Sequence, residues 1–510
     1  MSTEEKGQYI NPNKGSQYFE TVIIGTGFSG LLAAIGLRKK NITDFVLLER
    51  DAEIGGTWQA NSYPGAEVDI PTGLYSVSFI PYKFKKKYAP QSELLQYTNY
   101  IIDRFDLGKY SRANNAVKTL RYDDVTCLWH VETESDESYN ARFIIDASGV
   151  LANPKIPYIQ GAETFRGAKF HTARWDHTIS CKGKKVGVIG SGCSGAQVVP
   201  AIASQVDRLT VFMGTPEWII PRFDRNYSAV ERYIMNLPVM RHINRFMVFS
   251  IHEARFIGFK RYPFTSTISK FVKKIYARTL KSNLKKYIKD EKLRKYMMPD
   301  YELGCRRIIP TNLFLPALSR ENVDVDISGI DRITTTGILT KEGREIPLDI
   351  IVYATGFFAY SDMKEAFSFQ VYGREGRSLN SEWEKETVSY KGITVSGYPN
   401  YFKVNGPNTG TGHSSQLCYM ETMVNYIVKA ICAVKRDDSI KSIDVKNEVQ
   451  NEYMQKMRKD LNNTVWATGG CTAFYRKNKT GEVTSLSPES VVHFIFGRKN
   501  FHLGDYNILK

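Results

Sequence analysis

The chain has 510 residues, 42% hydrophobic and 24% charged, an ordinary globular balance with room for roughly two to four domains. Its net charge of +16 is unevenly placed, because residues 251–300 carry 14 Lys/Arg against 4 Asp/Glu. Seven cysteines, at 127, 181, 193, 305, 418, 432 and 471, have no Cys-x-x-Cys spacing and few nearby histidines. This argues against a zinc site or a redox dithiol and implies reduced thiols in a reducing compartment.

Residues 1–17 are polar and are expected to be draped or disordered. They lack an apolar signal core, no apolar run reaches the roughly 18 residues of a bilayer span, and the C-terminus is not a peroxisomal tripeptide. A soluble, cytoplasmic protein is expected.

Structure begins at Thr21-Val-Ile-Ile24, a β-branched run that reads as a buried parallel strand. Gly25-Thr-Gly27-Phe-Ser-Gly30 follows, then a helical run, then a second strand, Asp44–Leu48, closed by Glu49. Glycines between strand and helix admit a pyrophosphate to the helix N-terminus, and an acidic residue about twenty positions on accepts from a ribose 2′-hydroxyl. Gly55-Gly56-Thr57-Trp58 suggests backbone close to a ligand, with an aromatic flanking it. Tyr63-Pro64-Gly65-Ala66 makes a turn before Asp69, with Tyr75 beyond. Short strand-like runs at Val117, Val125–Val131 and Ala141–Ile145 lead to the small-residue turn Asp146-Ala-Ser-Gly149.

Pro154, Pro157 and Gly161 punctuate an exit from this first unit. Phe165-x-Gly167-x-x-x-His171-x-x-x-Trp175-Asp176 comes next and reads as a linker touching both neighbouring units. A second strand–turn–helix follows, with Gly190-x-Gly192-x-x-Gly195 and a strand Leu209–Met213. Its end is Phe212-Met-Gly214-Thr215, without a carboxylate, so it tolerates a 2′-phosphate and suits NADPH over NADH. The first unit, with Glu49, suits an unphosphorylated ribose such as that of FAD. Residues 217–300 lack strand patterning. From Ile268 to Leu293 their apolar residues keep helical spacing between lysines, which predicts a helical insert packed on the nicotinamide unit. A solvated basic face is expected there, a membrane-surface role being secondary. Asp349–Tyr353 reads as a buried strand entering the turn Ala354-Thr-Gly356, residues 370–400 return to the first unit, a long helix starts near Ser415, and the tail 460–510 reads as aromatic and irregular.

The fingerprint from Phe165 to Asp176, flanked by two glycine triads, closely resembles that of the Baeyer–Villiger monooxygenases, class B flavoprotein monooxygenases. The resemblance runs on through Gly55–Trp58, Tyr63–Ala66 with Asp69, Gly304-Cys305-Arg306-Arg307, Ala354–Gly356 and Asn405-Gly-Pro-Asn408. Trp175 stands where the related N- and S-oxygenating flavin monooxygenases usually carry Tyr or Phe. The resemblance implies an α/β fold of two Rossmann-like dinucleotide-binding domains with a helical insertion. FAD would be held by 1–149 and 381–510, NADPH by 150–216 and 301–380, with 217–300 inserted. It implies oxygen insertion beside a ketone carbonyl through a C4a-peroxyflavin, giving an ester or lactone. Arg307 would be catalytic and Asp69 would orient it. Gly25, Gly27, Gly30, Glu49, Arg50, Thr57, Trp58, Asp69 and Tyr75 would contact the flavin nucleotide. Gly190, Gly192, Gly195, Thr215 and Arg306 would contact NADP(H), with Arg306 in place of a lysine that meets the 2′-phosphate. Phe165, Gly167, His171, Trp175 and Asp176 would couple the two. Gly214 replaces a family arginine, and Leu313-Phe-Leu315 replaces family aromatics near the substrate. The partners implied are a small ketone and dioxygen, with no metal, no nucleic acid and no membrane span. A monomer or small homo-oligomer is expected. An N- or S-oxygenase, a flavin or disulfide reductase and a non-catalytic flavoprotein scaffold are the alternatives.

Overall fold

The computed structural model describes residues 16–260, 263–477 and 480–510. The predicted draping of the N-terminus falls mostly outside that range.

Two sheets organise the chain. The larger runs, in spatial order, Gln370–Tyr372, Val117–Asp123, Leu128–Thr133, Ser138–Asp146, Gln17–Ile24, Phe45–Leu48 and Ser111–Arg112, with Tyr401–Lys403 pairing beside Ser138–Asp146. Its nucleotide-binding half is parallel, and the Val117–Asp146 portion is an antiparallel meander. The smaller sheet is five-stranded and wholly parallel: Val323–Asp326, Arg208–Phe212, Lys185–Ile189, Ile350–Tyr353 and Ala168–His171. Strands such as Phe45–Leu48 and Ile350–Tyr353 are buried at every position, as covering of both faces requires.

The helix Gln416–Val434 covers the larger sheet and packs on Phe28–Arg38. Among the described helices it is the one long and apolar enough to cross a bilayer, yet most of it is core. Glu421, Asn425 and Lys429 recur every fourth residue and give it one polar stripe, the pattern of a half-covered core helix.

Several elements differ from expectation. The fingerprint is not a free linker, since Ala168–His171 is the edge strand of the smaller sheet and Thr172–Arg174 a 3₁₀ turn. A Cβ at Gly167 would lie 2.3 Å from the Asp349 carbonyl oxygen, so this edge strand can close on its neighbour only with glycine there. The chain rejoins the larger sheet at Gln370–Tyr372, ahead of residue 381. The tail is ordered: Val491–Arg498 is a helix whose Phe494 ring lies 4.1 Å from Tyr419, and Tyr506–Leu509 pairs antiparallel with Ser442–Val445. The insert includes a two-residue strand, Ile219–Ile220, and helices Ala229–Asn236, Pro238–Arg255, Pro263–Tyr287 and Glu291–Tyr296. Leu280 and Leu284 sit in the core of the second unit. Pro238–Arg255 instead lies on the first unit, where Arg245 donates to the Ser76 carbonyl at 2.8 Å and His252 Nδ1 meets the His413 carbonyl at 2.9 Å.

The cysteines also need correction. Cys305 and Cys471, 166 residues apart, form a disulfide, while Cys127, Cys181, Cys193, Cys418 and Cys432 are free thiols. Spacing arguments see only cysteines close in sequence; this bond joins the segment preceding Arg307 to the tail.

Candidate active site

Both glycine triads follow one rule. Gly25 and Gly190 have φ of +98° and +109°, and a Cβ on either would fall 2.7 and 2.5 Å from the carbonyl oxygens of Ala147 and Ala354. The third glycines, Gly30 and Gly195, would place a Cβ 2.0 and 2.2 Å from the carbonyls of Gly25 and Gly190. Packing therefore fixes the outer positions. A Cβ on the middle glycine of the second triad, Gly192, would meet no atom within 4 Å, leaving room for a ligand. The pair Gly55-Gly56 also lets two backbone turns meet: a Cβ on Gly56 would lie 2.5 Å from Gly27 Cα.

A cleft of about 660 Å³ starts at the first triad. Glu49, Arg50, Thr57, Trp58, Asp69 and Tyr75 line it, as do Arg307, Trp466, Phe474 and Tyr475. Glu49 is buried at the end of its strand and accepts from Thr26 N and Oγ1 at 3.0 and 2.5 Å. Arg50 donates to the Ala152 carbonyl at 2.7 Å and to Asn153 at 3.0 Å. The Trp58 indole donates to the Tyr75 hydroxyl at 3.1 Å, and burial raises that phenol, keeping it neutral. Ser414 Oγ, Ser485 Oγ and the Tyr475 hydroxyl are buried in residues of the cleft wall without a protein partner. Unsatisfied groups around an open glycine turn are what a bound dinucleotide would complete.

Arg307 and Asp69 meet at the cleft floor although 238 residues separate them. Nε and Nη2 of the guanidinium donate to the two carboxylate oxygens at 2.6 and 2.7 Å. Their side chains are 39% and 25% exposed, but this exposure faces the cleft. Burial alone would raise the Asp69 carboxyl; Arg307 outweighs it and leaves the group below its ordinary value. Asp69 in turn raises Arg307, which is a fixed cation.

The segment carrying Asp69 also holds the second triad. The Tyr63 hydroxyl donates to Gln197 Oε1 at 2.7 Å, and a Cβ at Gly65 would lie 2.5 Å from the Gln197 carbonyl oxygen. Gln197 belongs to Cys193–Ile202, the helix that the second triad opens. Tyr63, Gln197, Trp466, Phe474 and Tyr475 were not singled out from sequence as site residues. Only Tyr63–Ala66 left a signal, a turn with glycine at a position of φ +82°.

Gly190, Gly192, Gly195, Thr215 and Arg306 do not line the cleft. Thr215 is exposed beside Gly214, whose carbonyl accepts from the Tyr296 hydroxyl. Arg306 turns inward: Nη2 lies 2.8 Å from Glu217, and Nη1 is buried without a partner. Burial pushes Glu217 up to about 7 against the pull of Arg306, and the Tyr301 hydroxyl donates to it at 3.0 Å. A 2′-phosphate would have to compete with this carboxylate.

Among the fingerprint residues, Phe165 is buried under the smaller sheet, Trp175 stands edge-on to Phe170 at 4.8 Å, and Asp176 accepts from Thr178 N at 2.9 Å in an exposed turn. His171 is buried. Its Nδ1 accepts from Ala173 N at 3.1 Å, Nε2 has no partner, and its ring meets Phe357 of the cleft wall edge-on.

Burial pushes both His171 and His252 down to about 4. Unfolded histidine takes a proton near 6.5, about 2.5 pH units earlier, so stability is lost as pH falls from about 6.5 to about 4. Glu217, raised, works in the opposite sense between about 7 and its unfolded value. The His171→Asn variant keeps an acceptor for Ala173 N and should lose less stability than the parent across that window. Urea midpoints at pH 7 and pH 4.5 measure the difference; parallel profiles would refute the assignment.

Two strand–glycine–helix turns on separate sheets, tied together by the segment that leads to Asp69, define a two-nucleotide oxidoreductase. Residues 22–238 match the family model described as pyridine nucleotide-disulphide oxidoreductase. The disulfide seen here joins distant buried cysteines, Cys305 at 0% and Cys471 at 6% exposure, away from any surface a dithiol substrate could reach. The chain is 36% identical over 496 residues to a Baeyer-Villiger monooxygenase of Streptomyces coelicolor, covering 97% of this chain and 93% of that one. It is 35% identical over 495 residues to a Baeyer-Villiger monooxygenase of Pseudomonas aeruginosa, covering 97% and 92%. It also matches the crystal structure of cyclohexanone monooxygenase from Rhodococcus sp. Phi1 bound to NADP+, with TM-score 0.84, 26% identity and coverage of 97% and 99%. The chain belongs to the Baeyer–Villiger monooxygenase family.

Proposed function

We propose that this enzyme inserts one oxygen atom of dioxygen beside a ketone carbonyl, giving an ester or lactone, with FAD in the first unit and NADPH in the second. The observation that carries the reading is the Arg307–Asp69 pair at the floor of the cleft that the first glycine triad opens. Bound FAD, reduced by NADPH, supplies the oxygen-activating chemistry. The protein supplies position and field. Glu49 would accept from a ribose hydroxyl, and the turn of the first glycine triad would receive a pyrophosphate. Arg307 offers a permanent, planar set of donors to oxygen atoms that gain negative charge as the ketone reacts. Asp69 uses two of those donors and so fixes the plane of the guanidinium. Trp466 and Phe474 add apolar wall to the cleft. His171, neutral and buried against Phe357, belongs to the coupling between the two units.

The second strand's end lacks an acidic residue, which supports NADPH over NADH. We place the enzyme in the cytoplasm, in accord with its five free cysteines. Assays with cyclic and linear ketones should show NADPH oxidation and a product heavier by one oxygen atom. Oxygenation of sulfides or amines alone would favour the sister activity, and a bound flavin that NADPH does not bleach would favour a non-catalytic scaffold.

Gly192→Ala separates binding from folding. Its Cβ enters open space, so thermal stability should hold, while KM for NADPH rises about tenfold. Gly195→Ala should unfold or strongly destabilise the protein, because its Cβ collides with the Gly190 carbonyl. An unchanged KM in the first variant would remove the second triad from nucleotide binding.

A further inference from the structure

The helix Pro238–Arg255 carries apolar residues on two faces: Val248 and Phe249 pack against the core of the first unit, and a second set faces outward. Val239, Met240, Ile243, Phe246, Met247 and Ile251 point to solvent, with Val239 65% and Phe246 70% exposed. Arg241, Asn244, Arg245 and His252 face the protein. Arg245 and His252 bond to the carbonyls of Ser76 and His413, Asn244 abuts Gly73, and Arg241 Nε is buried. A surface helix ordinarily turns its apolar stripe inward and leaves its outer face polar. The stripe extends to Val230, Tyr233, Ile234 and Leu237 on the preceding helix and to Ile257 in the turn that follows, all exposed. A contiguous apolar face of this kind marks an interaction site.

Charge identifies the occupant. Residues 229–287 carry thirteen Lys/Arg and two Asp/Glu, so +11 of the chain's +16 lies in this segment. On Pro263–Tyr287, Lys270, Lys274, Arg278, Lys281 and Lys285 are exposed around Phe271 and Ile275. The turn Phe256–Phe259 packs on both helices and so links the apolar stripe to the exposed lysines; that combination fits the interface of a bilayer whose headgroups are anionic. A second copy of the chain fits poorly, because a two-fold contact through this face would set one basic stripe against its twin.

We propose that the apolar face of Ala229–Arg255 and the basic stripe of Pro263–Tyr287 dock this enzyme on the surface of an anionic phospholipid bilayer. The helix lies in the interface, its outward side chains among the acyl chains, and the lysines meet lipid phosphates. The inference is independent of the oxygenation reaction.

Co-sedimentation of the full-length protein with vesicles tests it. The protein should pellet with vesicles of phosphatidylcholine mixed with phosphatidylglycerol, less with pure phosphatidylcholine, and less again as salt rises. Ile243→Asp with Phe246→Asp should lower partitioning at least about tenfold, with thermal stability and turnover of a water-soluble ketone unchanged. If that variant folds poorly, Lys270→Glu with Lys274→Glu and Lys281→Glu leaves the apolar face intact and should abolish the preference for anionic vesicles. Wild-type protein that stays in the supernatant with every vesicle overturns the proposal, as does equal partitioning of parent and variants. A dimer in light scattering that Ile243→Asp with Phe246→Asp converts to monomer would assign the face to a second copy instead.

Discussion

Arg307→Ala should lose oxygen transfer, with kcat for ester or lactone formation falling about 10²–10³-fold or more, the loss expected when a preorganised donor is removed from developing negative charge. Both Asp69 oxygens are engaged by this guanidinium, so the substitution also frees a carboxylate to face the same cleft and adds repulsion where stabilisation is required. Arg307→Lys should restore little, because one ammonium cannot bond both carboxylate oxygens and still present a planar donor edge. Asp69→Ala should have the smaller effect, since charge remains and only orientation is lost. Product formation and NADPH oxidation need to be followed separately; product per NADPH should drop in all three variants. An Arg307→Ala enzyme that keeps half of the parental product rate would end the assignment. Arg307 holds the Asp69 carboxyl below its ordinary value. The pair's contribution is therefore present above about pH 4 and is lost as pH falls through the lower folded value.

Lys403→Met should cost about 3–5 kcal/mol of folding stability, the loss expected when one partner of a buried ion pair is removed. Asp146 is fully buried at the end of Ser138–Asp146 and accepts from Lys403 Nζ at 2.5 Å, the Tyr401 hydroxyl at 2.6 Å and the Ser148 hydroxyl at 2.6 Å. Burial would raise this carboxyl, but Lys403 and the hydroxyl donors hold it below its usual range. Without the ammonium, either a charge stays buried or a proton must be taken up. The consequence reaches the cofactor cleft, because Asp146 anchors the turn whose Ala147 carbonyl lies against Gly25. The variant should therefore release flavin more readily as well as melt earlier. Adding Asp146→Asn should recover part of the loss, since no unpaired charge remains. Denaturant midpoints and flavin retention measure both effects; a Lys403→Met protein as stable as the parent would mean that water reaches Asp146.

The sequence by itself determined the two strand–glycine–helix units, Glu49 at its strand end and the long helix after Ser415. Each is set by backbone sterics or by a short period, so neighbouring residues suffice to announce it. The tertiary structure decided how distant groups meet, and of these pairings only Asp69 with Arg307 was implied beforehand, by the family resemblance. Asp69 finds Arg307 across 238 residues, Lys403 finds Asp146 across 257, and Cys305 finds Cys471 across 166. No local pattern encodes such partners, because what selects them is the packing of whole sheets and helices. The inward turn of Arg306 onto Glu217 and the outward apolar face of Pro238–Arg255 have the same origin: a side chain's spacing gives its face on an element, and only the neighbouring elements decide whether that face meets protein or solvent.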